Sequence, residues 1–442
     1  MARKFLSFLG TNNYLACTYF LGRQESPKVR FVQETLAQIH CREWSSEDHV
    51  VIFITQGSLQ RNWDDNGHGE EKCHGLRQCL EALHLPCRIR PVSIPDGKSE
   101  EEIWTIFNTV CNELADNDSV LLDITHALRS LPMLAMVVLQ YMQVLRKVHL
   151  TGIYYGAFEV LGTIGQVKEM AVDDRRVPIF DLTAFAQLAD WSIAIDRFLA
   201  AGNAEMIHEL VKMKSIPVIK TGTGNTKQEA MAIKKLAKRL YDFTQAMTTC
   251  RGRAISQCAS SLDKALDDCT QAGLVPPLVP LLDKIKKRTA GFNGTSEISD
   301  GISAARWCLD HNLIQQAYTI LQETAVSFFL NTANNSTEAK HPCVNTNSRA
   351  MVCGAATLLA KKKDLSEFQL LDGQSRAVLE KIWSLLKTPK ENYQNMDKLE
   401  QRRNDLNHAG MNKCPLSADK FRQDLEQALL WLEQVIRHHN HE

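Results

Sequence analysis

The chain has 442 residues, 44% of them hydrophobic and 23% charged, with acidic and basic side chains in equal number. That length exceeds one ordinary core and predicts two or three domains, and the composition excludes disordered and fibrous classes. The charge is uneven: residues 1–180 carry 18 Lys and Arg against 22 Asp and Glu, residues 181–442 carry 33 against 29, so the second half is the one suited to a polyanionic partner.

The thirteen cysteines form no CxxC pair, and "MARKFLSFLG" has too short an apolar stretch for a secretory signal. Reduced thiols in a cytoplasmic protein are expected. His68, Cys73 and His74 could form a metal corner, but no second ligand pair stands near them in the sequence, and no metal is expected. The longest apolar run, 131–145, contains Gln140 and Gln143 and reads as a buried helix rather than a membrane span.

In chain order, β-rich runs at 4–9, 49–54, 87–92, 119–124 and 148–155 alternate with helix-length stretches at 29–39, 70–84, 100–115 and 130–147. The alternation predicts a mostly parallel, Rossmann-like sheet with helices on both faces. Residues 13–22 depart from it and suit an antiparallel strand or hairpin. "VPIFDLT" (177–183) marks a seam, after which the pattern is helical. A long connecting helix is expected over 182–213, a flexible loop over "KTGTGNT" (220–226), and a basic amphipathic helix over 227–247 carrying Lys234, Lys235, Lys238 and Arg239. "GLVPPLVP" (273–280) breaks the next helix. Apolar residues spaced by three and four predict one helix over 301–325. Residues 331–348 read as an irregular polar insertion, and helices over 375–387 and 417–436 follow, the last with Ser417 as N-cap.

Ligands of such sheets sit beyond the carboxyl ends of the strands. There the chain places Gly10, Thr11, Asn12, Asn13 and Tyr14; then Gln56 in "TQGS"; then Asp123, Thr125, His126 and Arg129 in "DITHALRS"; and Gly156 in "YYGAFE". Hydroxyl, amide, imidazole and guanidinium groups suit phosphate oxygens and base edges. The dinucleotide fingerprint GxGxxG is absent from "GTNNY".

Near the C-terminus, "RRNDLNHAG" (402–410) follows a helical stretch and ends in Gly410, where the helix is expected to stop. Cations in a last turn offset the helix dipole, which alone accounts for an Arg or a His there. On an ideal helix Arg403 and His408 point about 140° apart. They reach one phosphate only if the last turn unwinds or a second chain completes the site.

A Rossmann-like domain with these loops, followed by a helical domain ending in Arg-x4-His, resembles the CRISPR-associated CARF–HEPN ribonucleases of type III systems. "FLSFLGTNNY", "LLDITHALRSLPML" and "GIYYGAFE" are similar to the ligand-sensing domain of that family, and "WCLDHNLIQQAYTILQE" and "RRNDLNH" to its nuclease domain. The resemblance implies a CARF sensor over 1–178, a helical extension over 179–300 and a HEPN ribonuclease domain over 301–442. It implies a homodimer or an assembly of dimers, switched on by a cyclic oligoadenylate (cyclic tetra-adenylate first, cyclic hexa-adenylate second) to cut single-stranded RNA in antiviral defence without a metal. Arg403, Asn404 and His408 are the implied catalytic residues; Arg403 is preferred to Arg402 because Asn404 then fills the polar position after it. Gly10, Thr11, Asn12, Asn13, Thr125, His126 and Arg129, with Gln56 and Gly156, are the implied activator-binding residues. Slow cleavage of the activator by Thr11, Asn12 or His126 is a further implication. The chemistry suits the residues, since RNA carries its own 2′-OH nucleophile, His can pass a proton near neutral pH and Arg can stabilise charge on the phosphate. The alternative is a non-enzymatic, ligand-gated signalling protein. A nucleotide-metabolising enzyme would instead need a base among Asp123, His126 and Glu159.

Overall fold

The computed structural model describes residues 2–64, 74–126, 131–221, 223–271, 279–294, 296–334, 346–371, 374–411 and 415–441. It divides into two compact units, Met1–Ala189 and Asp190–Glu442.

The first unit is built on eight strands: β1 (Arg3–Leu9), β2 (Cys17–Leu21), β3 (Gln24–Val29), β4 (His49–Ile54), β5 (Arg88–Ser93), β6 (Ser119–Asp123), β7 (His149–Gly156) and β8 (Arg176–Asp181). Their order is β3-β2-β8-β7-β6-β1-β4-β5. The five strands expected from the β-rich runs form the parallel part, β7-β6-β1-β4-β5. Strand β1 is buried along its whole length after Arg3, as a central strand covered on both faces must be. Residues 13–22 supply β2, which pairs antiparallel with β3 across a turn at Gly22, where φ is +59°. The seam at 177–183 is itself a strand: β8 lies antiparallel to β7 and parallel to β2. Pro178 fits there because its carbonyl still accepts from the Ala157 amide at 2.9 Å.

The sheet carries helices α1 (Val32–His40), α2 (Gln56–Ser58, continued by a π-helical turn over Leu59–Trp63), α3 (Leu76–Ala82), α4 (Glu100–Asn112), α5 (Leu131–Arg146) and α6 (Ile164–Glu169). Two apolar layers result. One gathers Phe5, Leu36, Ile52 and Leu76, the other Leu6, Phe53, Ile106 and Val138, so alternate residues of β1 and β4 serve opposite faces.

The helix α7 (Thr183–Ala201) starts at the end of the first unit. The second unit continues with α8 (Glu205–Thr221), α9 (Gly224–Thr248), α10 (Gly252–Gln271), α11 (Val279–Thr289), α12 (Glu297–Asp310), α13 (Ile314–Ala333), α14 (Thr346–Ala360), α15 (Arg376–Lys387), α16 (Glu391–Asn407) and α17 (Ala418–His441). Three expectations are corrected. The helix expected over 182–213 is two helices, broken where Gly202 takes φ +64°. The helix expected over 301–325 is α12 and α13, broken at Asn312 with φ +59°; the apolar spacing runs across the break, with Leu309 and Ala317 both buried in the same core. Most of the loop expected over 220–226 is helix, since α8 runs to Thr221 and α9 starts at Gly224. The basic face of α9 is largely neutralised within the chain: Lys235 pairs with Asp268, and Lys238 and Arg239 with Asp242. No described helix is long and apolar enough to cross a membrane.

Candidate functional site

The candidate residues fall in two clusters, one in each unit. In the first, the loops after β1, β4, β6 and β7 meet at the carboxyl edge of the sheet. Gly10 is required by close approach: a Cβ there would lie 2.4 Å from the Tyr14 hydroxyl oxygen and 3.3 Å from the His126 carbonyl oxygen. The Tyr14 and His126 rings lie 4.2 Å apart. A Cβ on Gly57 would meet the Thr11 methyl at 3.2 Å, which brings Thr11 beside Gln56. Gly156 faces Thr125 and Val32, and a Cβ would come within 2.8 Å of the Val32 methyl. The structure thus gathers Gly10, Thr11, Thr125, His126 and Gly156, with the backbone of Asn12. Thr11, Asn12 and Gln56 are exposed and Asn13 is half-buried. Arg129 lies outside the described residues, as do His68 and Cys73.

A buried polar lattice holds these loops from beneath. Asp123 is 1% exposed, and its Oδ1 accepts from the Thr125 amide at 2.9 Å and the Thr125 hydroxyl at 2.6 Å. The Ser7 hydroxyl donates to Asp123 Oδ2 at 2.7 Å, and Gln33 Nε2 donates to Ser7 Oγ at 3.1 Å and the Phe8 carbonyl at 3.2 Å. Thr125 Oγ1 in turn accepts from the Gly156 amide at 2.8 Å. Burial raises the Asp123 pKa above the usual carboxylate range, against the lowering pull of Ser7 and Thr125. Asp123 is therefore enclosed behind Ser7 and Thr125, which removes it as a base acting directly on a substrate. Glu159 accepts a hydrogen bond from the Tyr155 hydroxyl at 2.7 Å.

Asn62, fully buried on the π-helical turn, donates through Nδ2 to the Gly10 carbonyl at 2.8 Å and the Asn12 carbonyl at 3.0 Å. It fixes the "GTNN" loop from a distance of some fifty residues. Three buried side-chain atoms here, Asn62 Oδ1, Gln33 Oε1 and His126 Nε2, have no partner among the described residues. His126 as a residue is only half-buried, but its Nε2 is enclosed, and burial lowers its pKa to about 3, so the imidazole is neutral near pH 7. Burial pushes the Tyr14 phenol up, leaving it a neutral donor.

The second cluster surrounds the end of α16. The helix stops at Asn407, His408 is its C-cap with φ −94° and ψ 13°, and Ala409 and Gly410 take φ of +53° and +69°. The turn between Arg403 and His408 stays helical, since the His408 amide still donates to the Asn404 carbonyl at 2.9 Å, so the expected unwinding is not what this helix end shows, and a second chain is the other of the two routes to a shared phosphate. The Asp405 carbonyl accepts from the Gly410 amide at 2.9 Å and its carboxylate from the Leu416 amide at 2.8 Å, so Asp405 ties off the helix end. Asn404 and His408 are exposed.

Arg402 and Arg403 separate cleanly. Arg402 binds Asp424 of α17 at 2.9 Å beside Lys398, which binds the same carboxylate at 2.7 Å, so it serves helix packing. Arg403 reaches Glu323 of α13 at 3.5 Å, and Glu323 is held from its other side by Arg349, whose Nε and Nη2 lie 3.0 and 2.6 Å from Oε2. Arg349 Nη1 also donates to Ser327 Oγ at 2.9 Å. Glu323 thus orients a half-buried guanidinium beside the exposed end of α16. Sequence reasoning missed Glu323, Arg349 and Asn62, because pairings over 80, 26 and 50 residues leave no local pattern. Among the described residues no group of three or more His, Cys, Asp or Glu could hold a metal ion, and His74 contacts Gln78 instead.

Residues 187–291 match the family described as the second domain of the CRISPR-associated protein MJ1674. The CRISPR-associated protein MJ1674 of Methanocaldococcus jannaschii is 24% identical over 236 residues, which cover 52% of this chain and 32% of that protein. The chain therefore aligns with about a third of the length of that curated relative. Among solved structures, Enterococcus italicus Csm6 bound to cyclic hexa-2′-fluoro-hexa-dAMP is similar with a TM-score of 0.47 and 11% identity, over 98% of this chain and 93% of that one. The domain match and the curated protein, like the motifs, point to CRISPR-associated proteins, and the chain is similar to the CRISPR-associated protein MJ1674 over the matched residues.

Proposed function

We propose that the chain is a cyclic-oligoadenylate-activated, metal-independent endoribonuclease of type III CRISPR defence, with a CARF sensor over the sheet and a HEPN nuclease domain over α12–α17. The observation that carries the reading is the end of α16, where Glu323 holds the Arg403 guanidinium and His408, five residues on, is exposed at the helix cap for a site that a second copy would complete. In this reading His408 acts as general base or acid toward the 2′-OH and the leaving 5′-oxygen, Arg403 stabilises the phosphorane-like charge and Asn404 adds a hydrogen bond. The products are a 2′,3′-cyclic phosphate and a 5′-hydroxyl. The activator lies on the loops of Gly10, Thr11, Asn12, Asn13, Gln56, Thr125, His126, Arg129 and Gly156, where the exposed hydroxyl and amide groups of Thr11, Asn12 and Gln56 suit phosphate and adenine groups. The reading includes a homodimer: α5, expected as a buried helix, instead leaves Met133 at 75% and Val144 at 85% exposed, with Val137, Tyr141 and Leu145, a stripe that a second copy would cover.

The test is cleavage of a labelled single-stranded RNA in EDTA, with and without cyclic tetra- and hexa-adenylate. Cutting that appears with only one ring, tetra-adenylate first, and is lost in His408→Ala with ring affinity intact supports the proposal. Ring binding without cutting favours the non-enzymatic signalling protein.

A further inference from the structure

Beside Arg403 the helical unit contains a cavity of about 440 Å³, within the ~300–1,000 Å³ range of small-ligand sites. It is walled by the starts of α10, α12 and α14 and by the middle of α13. Glu323 links it to Arg403, since the carboxylate that lines the cavity is the one 3.5 Å from the Arg403 guanidinium. The charge of Glu323 is already offset by Arg349 and Arg403. Two other charged groups on the lining, Arg253 and Glu297, have no ion-pair partner among the described residues. Arg253 is exposed at the start of α10, Glu297 is half-buried in the first turn of α12, and between them Ile298 and Ile320 give an apolar wall.

This set matches a nucleotide. A free guanidinium suits a phosphate. A free carboxylate is an acceptor only, which repels phosphate but receives the amino N–H groups of a base. An aliphatic wall takes the face of the ring. We infer that this cavity is a subsite for one nucleotide of the RNA strand next to the scissile phosphate, with Arg253 on the backbone and Glu297 selecting a base that carries an exocyclic amino group. The inference rests on the ribonuclease reading above and deepens it by naming a determinant of base preference. Arg253 and Glu297 are binding residues here and take no part in proton transfer.

The experiment uses the full-length His408→Ala chain, so that RNA survives, with fluorescence anisotropy of labelled 12-residue homopolymers of A, C and U, with and without cyclic tetra-adenylate. Arg253→Ala on that background is expected to weaken binding of all three about tenfold and to reduce the salt slope by about 0.7, one phosphate contact on a single strand. Glu297→Gln is expected to reduce the preference for A and C over U while leaving the salt slope in place. An Arg253→Ala chain with unchanged affinity and slope, or a base ranking untouched by Glu297→Gln, overturns the subsite. Failure of the wild-type chain to cut RNA would instead count against the ribonuclease reading, so the two failures are told apart.

Discussion

The two edges of the sheet solve the same problem, buried carboxylates at strand ends, in opposite ways. At the amino edge Asp48 binds the Arg3 guanidinium at 2.7 Å and accepts from the Arg3 amide and from Ser45, while Asp118 binds Lys4 at 2.8 Å and accepts from the amides of Ala2 and Ala115. Each carboxylate there has its cation. At the carboxyl edge Asp123 has none among the described residues; the Ser7 and Thr125 hydroxyls and one amide bind it, with Gln33 behind Ser7, and neighbouring atoms of Asn62, Gln33 and His126 have no partner among the described residues. Burial alone would raise the Asp48 pKa, but its hydrogen bonds hold it well below the usual range, whereas the Asp123 pKa stays raised. A charge-saturated edge locks strands together; an edge with neutral, incompletely satisfied groups has hydrogen-bonding capacity to offer a ligand.

The contrast is broken most strongly by exchanging the two carboxylates for neutral residues. Asp48→Asn should destabilise the first unit by about 2–3 kcal/mol, through loss of a charged acceptor for several donors. Asp123→Asn should be near neutral or stabilising at pH 7, because an amide still accepts from Thr125 and sheds the cost of a buried charge. Asp123→Ala, which orphans Ser7 and Thr125, should cost about 1–3 kcal/mol. The signs with pH also oppose. The Asp48 contribution is present above the unfolded pKa of about 3.9 and lost as pH falls through it, whereas ionised Asp123 costs stability as pH rises from about 3.9 through its raised folded pKa. Hydrogen exchange of the β1 and β6 amides reports both. Equal effects of Asp48→Asn and Asp123→Asn at pH 7 would erase the distinction between the edges.

Asn62 sharpens it at the level of the ligand. Asn62→Asp keeps the shape of the side chain but removes both hydrogen-bond donors to the Gly10 and Asn12 carbonyls, so the loop loses its clamp. Affinity for cyclic tetra-adenylate, measured by calorimetry, should fall about tenfold or more, equivalent to roughly 1.4 kcal/mol. Wild-type affinity in this variant would mean that the loop needs no fixing from beneath.

Much of this arrangement was legible in the sequence, and the omissions have physical causes. The strand runs 49–54 and 119–124 are continuous apolar stretches because both faces are covered, and the structure returns them within a residue. The loops of Gly10, Thr125, His126 and Gly156 fall together because parallel strands bring their carboxyl ends to one edge. Strand β8 was obscured by Pro178, which looks like a breaker until its carbonyl is seen to accept from Ala157. The breaks at Gly202 and Asn312 were hidden because helical apolar spacing records burial and says nothing of φ at a single residue. Asn62 and Glu323 act through side-chain contacts across the fold, which no local period encodes.

An effect that vanishes at pH 7.5 isolates His126. In the unfolded chain its imidazole takes a proton near pH 6.5, whereas in the folded chain burial delays this to about 3. The unfolded state therefore binds more protons between those values, and the His126 contribution is complete above about pH 6.5 and lost as pH falls toward 3, by at most about 1.4 kcal/mol per pH unit. His40 and His49 are shifted in the same direction by burial, so the measurement is the difference between parent and variant. His126→Phe keeps a ring against Tyr14 but cannot titrate. Its β6 amides should exchange as in the parent at pH 7.5 and be better protected than the parent's at pH 5, above the range where Asp48 titrates. Parallel pH dependences in the two chains would place the imidazole in water and overturn the view that the carboxyl edge keeps His126 neutral and enclosed.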